Sequence, residues 1–140
     1  MKLSTKTRYS LRILLHIALE SKRDGLASGK DIASSQGINE PYLEQIMSNL
    51  KSAGFVKTVR GRNGGYKLAK KADEISLLNI VEAIEGELNL SDDDEQVSRE
   101  SKAAERIWQK LSNRIKIEAR SITLLRIINE EMIDHSDYII

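Results

Sequence analysis

The sequence contains no cysteine. That absence excludes disulfides, thiolate redox switching, cysteine-based zinc sites and cysteine-ligated iron–sulfur clusters. Long apolar runs are missing as well. No stretch approaches the roughly 20 residues needed to cross a bilayer, and Met1-Lys2-Leu3 opens into no signal-peptide pattern, so a cytoplasmic protein without membrane contact is expected. Histidine is scarce: no second ligand stands at helical spacing from His16, and His135 sits in a polar stretch. No nucleophile–base pair or paired carboxylates at catalytic spacing stand out, so the chain does not read as an enzyme, and no cofactor is expected.

What remains is a chain of 140 residues, suited to one domain of roughly 150 with an appended helical arm. Its net charge of +1 conceals an asymmetry. Residues 1–72 carry 14 Lys and Arg against 5 Asp and Glu, or +9, whereas residues 73–140 carry 8 against 16, or −8. A basic half joined to an acidic half points to polyanion binding by the first, because phosphates supply most of the attraction in DNA binding. Merely uneven charge is the plainer alternative.

The most informative stretch runs from Asn39 to Leu68. It reads as a helix over Glu40–Ala53, with Asn39 as N-cap and the single proline, Pro41, in the first turn. Gly54 stops it, and the β-prone run Phe55–Val59 leads through Arg60-Gly61-Arg62-Asn63-Gly64-Gly65 into Tyr66-Lys67-Leu68. Leu43, Ile46, Met47 and Leu50 follow 3.6-residue spacing and should pack inward. Asn39, Glu40, Tyr42, Glu44, Gln45, Ser48 and Asn49 are left outside, rich in groups able to read base edges; Gln pairs with adenine and Glu accepts from cytosine N4. Glu44 would be repelled by phosphates, which suits base selection, although an ordinary surface glutamate is an equal competitor. In the hairpin, Gly61, Gly64 and Gly65 are expected to supply positive φ, with Arg60 and Arg62 at the tip, suited to the minor groove. The loop lacks the Gly-Lys-Ser/Thr ending of a phosphate-binding P-loop.

Upstream, Ser4 can cap a helix reaching about Leu19, with Leu11, Leu14, Leu15 and Ala18 on one stripe and Ile13 and Ile17 widening it. Lys6 and Arg8 in its first turn oppose the macrodipole, which suggests an anionic partner, or else two solvated surface cations. Ser28, spaced to Asp31 as in a capping box, starts a helix that stops near Gly37. Helix, Gly-containing turn and helix over Ser28–Ala53 then make a helix-turn-helix. The fold class is mainly α with a small β-hairpin wing, a winged helix-turn-helix plus a long dimerisation helix.

Several stretches resemble the IscR, NsrR and CymR family of bacterial winged-helix transcription regulators. They are Met1–Lys6 with Arg8-Tyr9; Tyr42-Leu43-Glu44-Gln45; Leu50 with Ala53-Gly54; Val59-Arg60-Gly61 with Gly64–Leu68; Ile80, Ala83 and Glu85-Gly86; Trp108; and Ile122-Thr123-Leu124. The resemblance covers nearly the whole chain. It implies double-stranded DNA, as a palindromic operator, for the partner. Tyr42, Glu44 and Gln45 would read bases, Arg60 would enter the minor groove, and Lys6 and Arg8 would clamp phosphate. Ser28, Asn39, Arg62 and Tyr66 complete the expected DNA-binding set. Thr7 and Ser10 depart from the pattern, standing where Gly and a small residue are usual.

The acidic half divides further. Ser76 can cap a helix Leu77–Glu85 ended by Gly86, with Leu77, Ile80, Val81 and Ile84 inward. A polar loop, 87–102, follows and separates the DNA-binding domain, 1–86, from a dimerisation helix and C-terminal helix, 103–140. In many members of the family this loop carries three cysteines holding an iron–sulfur cluster; here it carries Asp92-Asp93-Asp94-Glu95. A solvated loop is the reading for those acids, since they lack the alternation of a calcium-binding loop. From about Ala103 a stripe of Ala104, Ile107, Trp108, Leu111 and Ile115 should pack partly on the domain and partly on a second subunit, giving a two-fold homodimer. Trp108 reads as an anchor there rather than as the wall of a ligand pocket. Thr123 can cap a last helix, Leu124–Met132.

The resemblance is strongest to the cysteine-metabolism repressors, which also lack the cluster cysteines. They share a Tyr-Ile ending and partner cysteine synthase, an enzyme whose pocket accepts a C-terminal isoleucine. It thus implies Tyr138, Ile139 and Ile140 as a partner-binding tail, with a tail tucked into its own dimer as the alternative. The function expected is a homodimeric, sequence-specific DNA-binding regulator, a repressor without an iron–sulfur cluster. A protein-interaction adaptor of the same fold that does not bind DNA is the rival.

Overall fold

The computed structural model describes residues 2–21, 25–92 and 97–132. The first helix, α1, spans Thr5–Ser21. Ser4 caps it as expected, its Oγ accepting from the Thr7 N–H at 3.1 Å. The buried face is centred on Ile13, Leu14, Ile17 and Ala18. Leu11 and Leu15, expected on the central stripe, lie half-buried at its edge because the helix is covered from the Ile13/Ile17 side. Ser10 is completely buried, and its hydroxyl donates to the Lys6 carbonyl at 2.7 Å. A small residue is required there, and the start of the helix is undisturbed.

Helix α2, Gly29–Gln36, is capped by Ser28, whose side chain accepts from the Asp31 N–H. It ends on Gly37 at φ 66°, a left-handed conformation that glycine adopts without steric cost. Two residues later Asn39 caps α3, Glu40–Ser52, with Pro41 in the first turn. Leu43, Ile46, Met47 and Leu50 point inward from α3, each no more than 2% exposed, and meet Ile13, Leu14, Ile17 and Ile32 in one core. Burying each such side chain fully contributes about 1.5–3 kcal/mol, so the α3 face alone accounts for much of the attachment of this helix.

Strands β1 (Val56–Val59) and β2 (Gly65–Leu68) form an antiparallel hairpin in which Val56 faces Leu68 and Val59 faces Gly65. Ala27, in the segment before α2, adds a bridge on the far side of β2: its N–H donates to the Tyr66 carbonyl at 3.1 Å and its carbonyl accepts from the Tyr66 N–H at 2.7 Å. The glycines of the turn play different parts from those expected. Gly61 has φ 128°, but Gly64 and Gly65 are not in the positive-φ region. They are glycines for lack of room. A Cβ on Gly64 would overlap the Val59 carbonyl oxygen, and one on Gly65 would lie 2.7 Å from the Ala27 carbonyl oxygen.

After a 3-10 turn at Ala72–Glu74, α4 spans Leu77–Glu85 under a capping box between Ser76 and Asn79. Its inward residues are Leu78, Ile80 and Val81; Leu77 and Ile84, expected inward, are half-exposed. Helix α5 runs over Arg99–Ser121, four residues earlier than expected, from a capping box of Ser98 and Ser101. Helix α6, Leu124–Glu131, is capped by Thr123. The two caps meet: the Leu77 N–H donates to the Ile122 carbonyl at 2.7 Å and the Leu124 N–H to the Ile75 carbonyl at 3.0 Å. Leu124 thereby enters the same core as Leu50 and Ile80, so the end of the chain packs back on its beginning. No helix among the described residues is long and apolar enough to cross a membrane. Gly64→Ala is expected to destabilise the protein by about 1–3 kcal/mol, as overpacking does. An unshifted urea midpoint for this variant would show that the turn relaxes freely.

Candidate nucleic-acid interface

Helix α3 presents the expected polar face. Glu44, Gln45 and Ser48 are exposed, and Tyr42 is half-buried at its start. Asn39 does two things: its Oδ1 accepts from the Tyr42 N–H at 2.8 Å as the helix cap, which leaves its Nδ2 amide as a donor facing outward. Ser28 is similar, its Oγ occupied as acceptor from the Asp31 N–H at 3.0 Å while its own proton remains available. Arg60 and Arg62 are exposed at the hairpin tip.

The first turns of the helices are held in register by side chains that periodicity alone did not single out. The Tyr42 ring packs edge-on against Tyr9 of α1, centroids 6.0 Å apart at 76°. The Arg12 guanidinium lies over the Tyr9 ring, 4.7 Å from its centroid, and donates to the carbonyl and side-chain oxygens of Gln36 at the end of α2. Such aromatic and cation–π contacts contribute about 0.5–1.5 kcal/mol each, and here they join α1, α2 and α3 at one edge. Tyr9 follows Arg8 directly, so the same contact sets the cationic start of α1 beside the start of α3. On the wing side, the half-buried Tyr66 ring lies against Gly29, 3.5 Å from where a Cβ would stand, which seats the hairpin on the first turn of α2.

The electrostatics favour an anionic partner. The ion pairs within 4 Å among the described residues are Lys116–Glu87 and Arg126–Glu130, both in the acidic half. Lys6, Arg8, Lys30, Lys51, Arg60 and Arg62 therefore have no carboxylate within ion-pair distance among those residues. Lys57 and Lys67 stand directly opposite each other across the hairpin, a repulsive arrangement that an external anion would relieve. With Lys70 and Lys71 they line a cleft of about 680 Å³ between the hairpin, α1 and α6, where Ala18, Leu68 and Ile128 supply apolar walls and Glu74 the one carboxylate of the lining. Lys30, exposed in the first turn of α2, and this lysine pair were not in the expected set; only the hairpin register reveals that the pair shares a face.

Ser4, Thr7 and Glu85 form a bracket at the start of α1. Oε1 of Glu85 accepts from the Thr7 hydroxyl at 2.6 Å and from the Ser4 N–H at 2.8 Å. The Thr7 hydroxyl foremost, then the Ser4 N–H and hydroxyl, hold the Glu85 carboxyl below its ordinary value, while slight desolvation opposes them.

The expected dimer residues occupy one side of α5. Ile107, Trp108 and Leu111 are 55%, 45% and 44% exposed, and Ile115 is half-buried. At the inner edge of the same stripe Ser112 and Ala119 are buried, the Ser112 hydroxyl accepting from the Leu90 N–H. The tail residues Tyr138, Ile139 and Ile140, with His135 and the acids Asp93, Asp94 and Glu95, lie outside the described residues.

Comparison with known proteins agrees with this geometry. The Rrf2 family model, described as an iron-dependent transcriptional regulator, matches residues 3–130. The HTH-type transcriptional regulator IscR of Cereibacter sphaeroides is 37% identical, over 94% of this chain and 90% of that protein. The HTH-type transcriptional regulator CymR of Bacillus subtilis is 36% identical, over 89% of this chain and 87% of that one. The solved structure of CymR, the global cysteine regulator of B. subtilis, superimposes with a TM-score of 0.79 at 34% identity, covering 92% of this chain and 97% of that chain.

The family description implies iron, but the residues here do not fit an iron–sulfur cluster. The chain has no thiol, and the loop 87–102 has neither Cys nor His. Its described part is held by side chains instead: the Leu90 N–H donates to the Ser112 hydroxyl at 2.7 Å, the Asp92 N–H to Glu105 at 3.1 Å, and Lys116 pairs with Glu87.

The bracket at Glu85 makes a pH prediction. Its folded pKa lies below its unfolded one, so the stabilisation it contributes is complete above the unfolded value of about 4.5 and is lost as pH falls through the folded value. The stability difference between the wild type and Glu85→Ala, followed by urea denaturation, is expected to be level from about pH 8 to pH 6 and to close below about pH 4. A difference that persists unchanged at acid pH would rule out the carboxylate as its source.

Proposed function

This chain belongs to the Rrf2 family of transcriptional regulators, and we propose that it is a homodimeric, sequence-specific repressor that binds a palindromic DNA operator without an iron–sulfur cluster. The observation that carries this reading is the pairing of an exposed polar face on α3 with an arginine-tipped hairpin seated on the start of α2. Tyr42, Glu44 and Gln45 meet base edges in the major groove. Arg60 enters the minor groove with Arg62 beside it, and Lys6, Arg8, Ser28 and Asn39 hold phosphate oxygens.

The second subunit covers the apolar side of α5. Ile107 and Leu111 stand at the outer edge of the stripe whose inner edge buries Ser112 and Ala119, with Trp108 between, and a two-fold contact between copies would bury their exposed area while placing two α3 helices on half-sites. Likeness to CymR makes sulfur or cysteine metabolism the favoured set of regulated genes. Cysteine synthase is the protein partner that goes with that assignment, through Tyr138, Ile139 and Ile140. Co-purification with cysteine synthase that is unchanged on deleting Ile139 and Ile140 would remove this partner.

The decisive test is capture and sequencing of genomic DNA fragments by the purified protein at two salt concentrations. Enrichment of a palindrome is expected, with neighbouring genes naming the pathway; DNA binding that is absent at every sequence and salt would favour a protein-interaction adaptor. On the enriched fragment, Arg60→Ala is expected to cost about 1–3 kcal/mol of affinity and to flatten its salt dependence. Trp108→Asp should convert the dimer to monomer in sedimentation, a loss of about 2 kcal/mol or more at a central apolar anchor. A variant that stays dimeric would move the interface elsewhere.

A further inference from the structure

We propose that Glu85 is a positioning residue for DNA binding: together with the Thr7 hydroxyl it fixes the first turn of α1, and so aims Lys6 and Arg8 at the phosphate backbone. The proposal rests on the phosphate-clamp reading of those two cations.

The need for such a device is visible in α1 itself. Its first turn contains no acidic residue, and it carries two cations at the end of the helix where the macrodipole is positive. The N–H groups of that turn also lack helical partners. Left alone, the turn would fray, and Lys6 and Arg8 would spend part of their time elsewhere. Glu85 supplies the missing negative charge from the last residue of α4, 78 positions from Thr7. One oxygen, Oε1, receives both the Thr7 hydroxyl and the Ser4 N–H, and the Ser4 hydroxyl closes the group by accepting from the Thr7 N–H while lying 3.1 Å from the Thr7 hydroxyl.

Burial makes the bracket directional. Thr7 is only 3% exposed, so its hydroxyl cannot turn to water and its best acceptor is Glu85. Lys6 and Arg8 flank Thr7 in sequence and emerge on either side of it, Arg8 exposed and Lys6 half-buried. Fixing Thr7 thus fixes the backbone from which both cations project. Because Glu85 ends α4, and α4 packs on α5, the same bracket joins the DNA-facing start of the chain to the helix proposed to form the dimer.

The test uses the full-length dimer and the palindromic fragment recovered by genomic capture, with affinity measured across a salt series. The reference is the Lys6→Gln/Arg8→Gln double variant, expected to make the slope of log K against log salt shallower by about 3.6, because the dimer loses two cations from each subunit at about 0.9 per phosphate contact. Glu85→Ala and Thr7→Val are each expected to recover half or more of that change, to be no worse together than singly, and to add nothing in the Lys6→Gln/Arg8→Gln background. Glu85→Gln keeps an acceptor at Oε1, and Thr7→Ser keeps the donor. Thr7→Ser should restore the wild-type slope, which a role confined to stability would not require, and also serves if Thr7→Val fails to fold; Glu85→Gln, which keeps the acceptor without the charge, should recover part of it. A reference variant with an unchanged slope would overturn the clamp reading itself. A shallower slope in the reference, with wild-type slopes in Glu85→Ala and Thr7→Val, would overturn the positioning role alone.

Discussion

The surface proposed to face DNA depends on a close backbone contact, the paired hydrogen bonds between Ala27 and Tyr66. A two-stranded hairpin is marginal by itself, and its tip would wander relative to the helices if only the turn residues held it. Pairing with Ala27 adds a third backbone segment on the open edge of β2 and seats the Tyr66 ring on Gly29 at the start of α2. The approach demands glycine at 65, where any Cβ would strike the Ala27 carbonyl. Wing and helix-turn-helix are thereby joined through the backbone as well as through side chains. In the proposed binding mode an arginine at the tip then addresses one groove while α3 addresses the next.

Charge follows the same division of labour. Cations are spread along the starts of α1 and α2, the end of α3 and the hairpin, without carboxylate partners among the described residues, whereas the ion pairs found lie around α5 and α6. Exposed ion pairs stabilise little, so leaving the basic half unpaired costs the fold almost nothing. It leaves the cations ready to displace counterions from a polyanion. The acidic half uses its carboxylates locally: Glu82 receives the Leu88 N–H, Glu105 receives the Asp92 N–H, and Glu87 pairs with Lys116. Those contacts bind the described part of the loop after α4 to α4 and α5 by hydrogen bonds, in a family whose description invokes iron.

Much of this was legible in the sequence because it is local. The caps at Ser4, Ser28, Asn39, Ser76 and Thr123 each lie within three residues of the N–H they satisfy, and the inward face of α3 repeats at helical spacing. The start of α5 was missed for a local reason too. Its capping box uses Ser101 where Glu or Gln is the usual signature, and the polar first turns offer no apolar stripe to mark them. Other features are long-range and left no pattern to read. Gly64 and Gly65 looked like turn glycines with positive φ; what they avoid is carbonyl oxygens, and the one facing Gly65 belongs to a segment nearly forty residues away. Thr7 looked like a departure from the family pattern, and its partner, Glu85, is on another helix. The clustering of Tyr9, Arg12, Gln36 and Tyr42 likewise requires three helices to be placed first.

Those long-range contacts also bear on how a regulator of this shape could be switched without sulfur chemistry. A signal arriving at α5, whether from a second subunit or from a protein partner, reaches the body by a short route: Ser112 and Ala119 face the body from α5, α5 packs on α4, and α4 ends on the carboxylate that holds the start of α1. A second route runs from Ile122 and Thr123 at the end of α5 through the paired backbone of Ile75–Leu77 to the core residue Leu124. The first ends at cations and the second in the packed core. Cores repack in discrete steps at substantial cost, whereas the exposed Glu85 carboxylate can take up water as it leaves its protein donors. The bracket at Glu85 is consequently the softer of the two connections, and a small displacement of α4 would act first on the proposed phosphate contacts of Lys6 and Arg8 and only afterwards on α3.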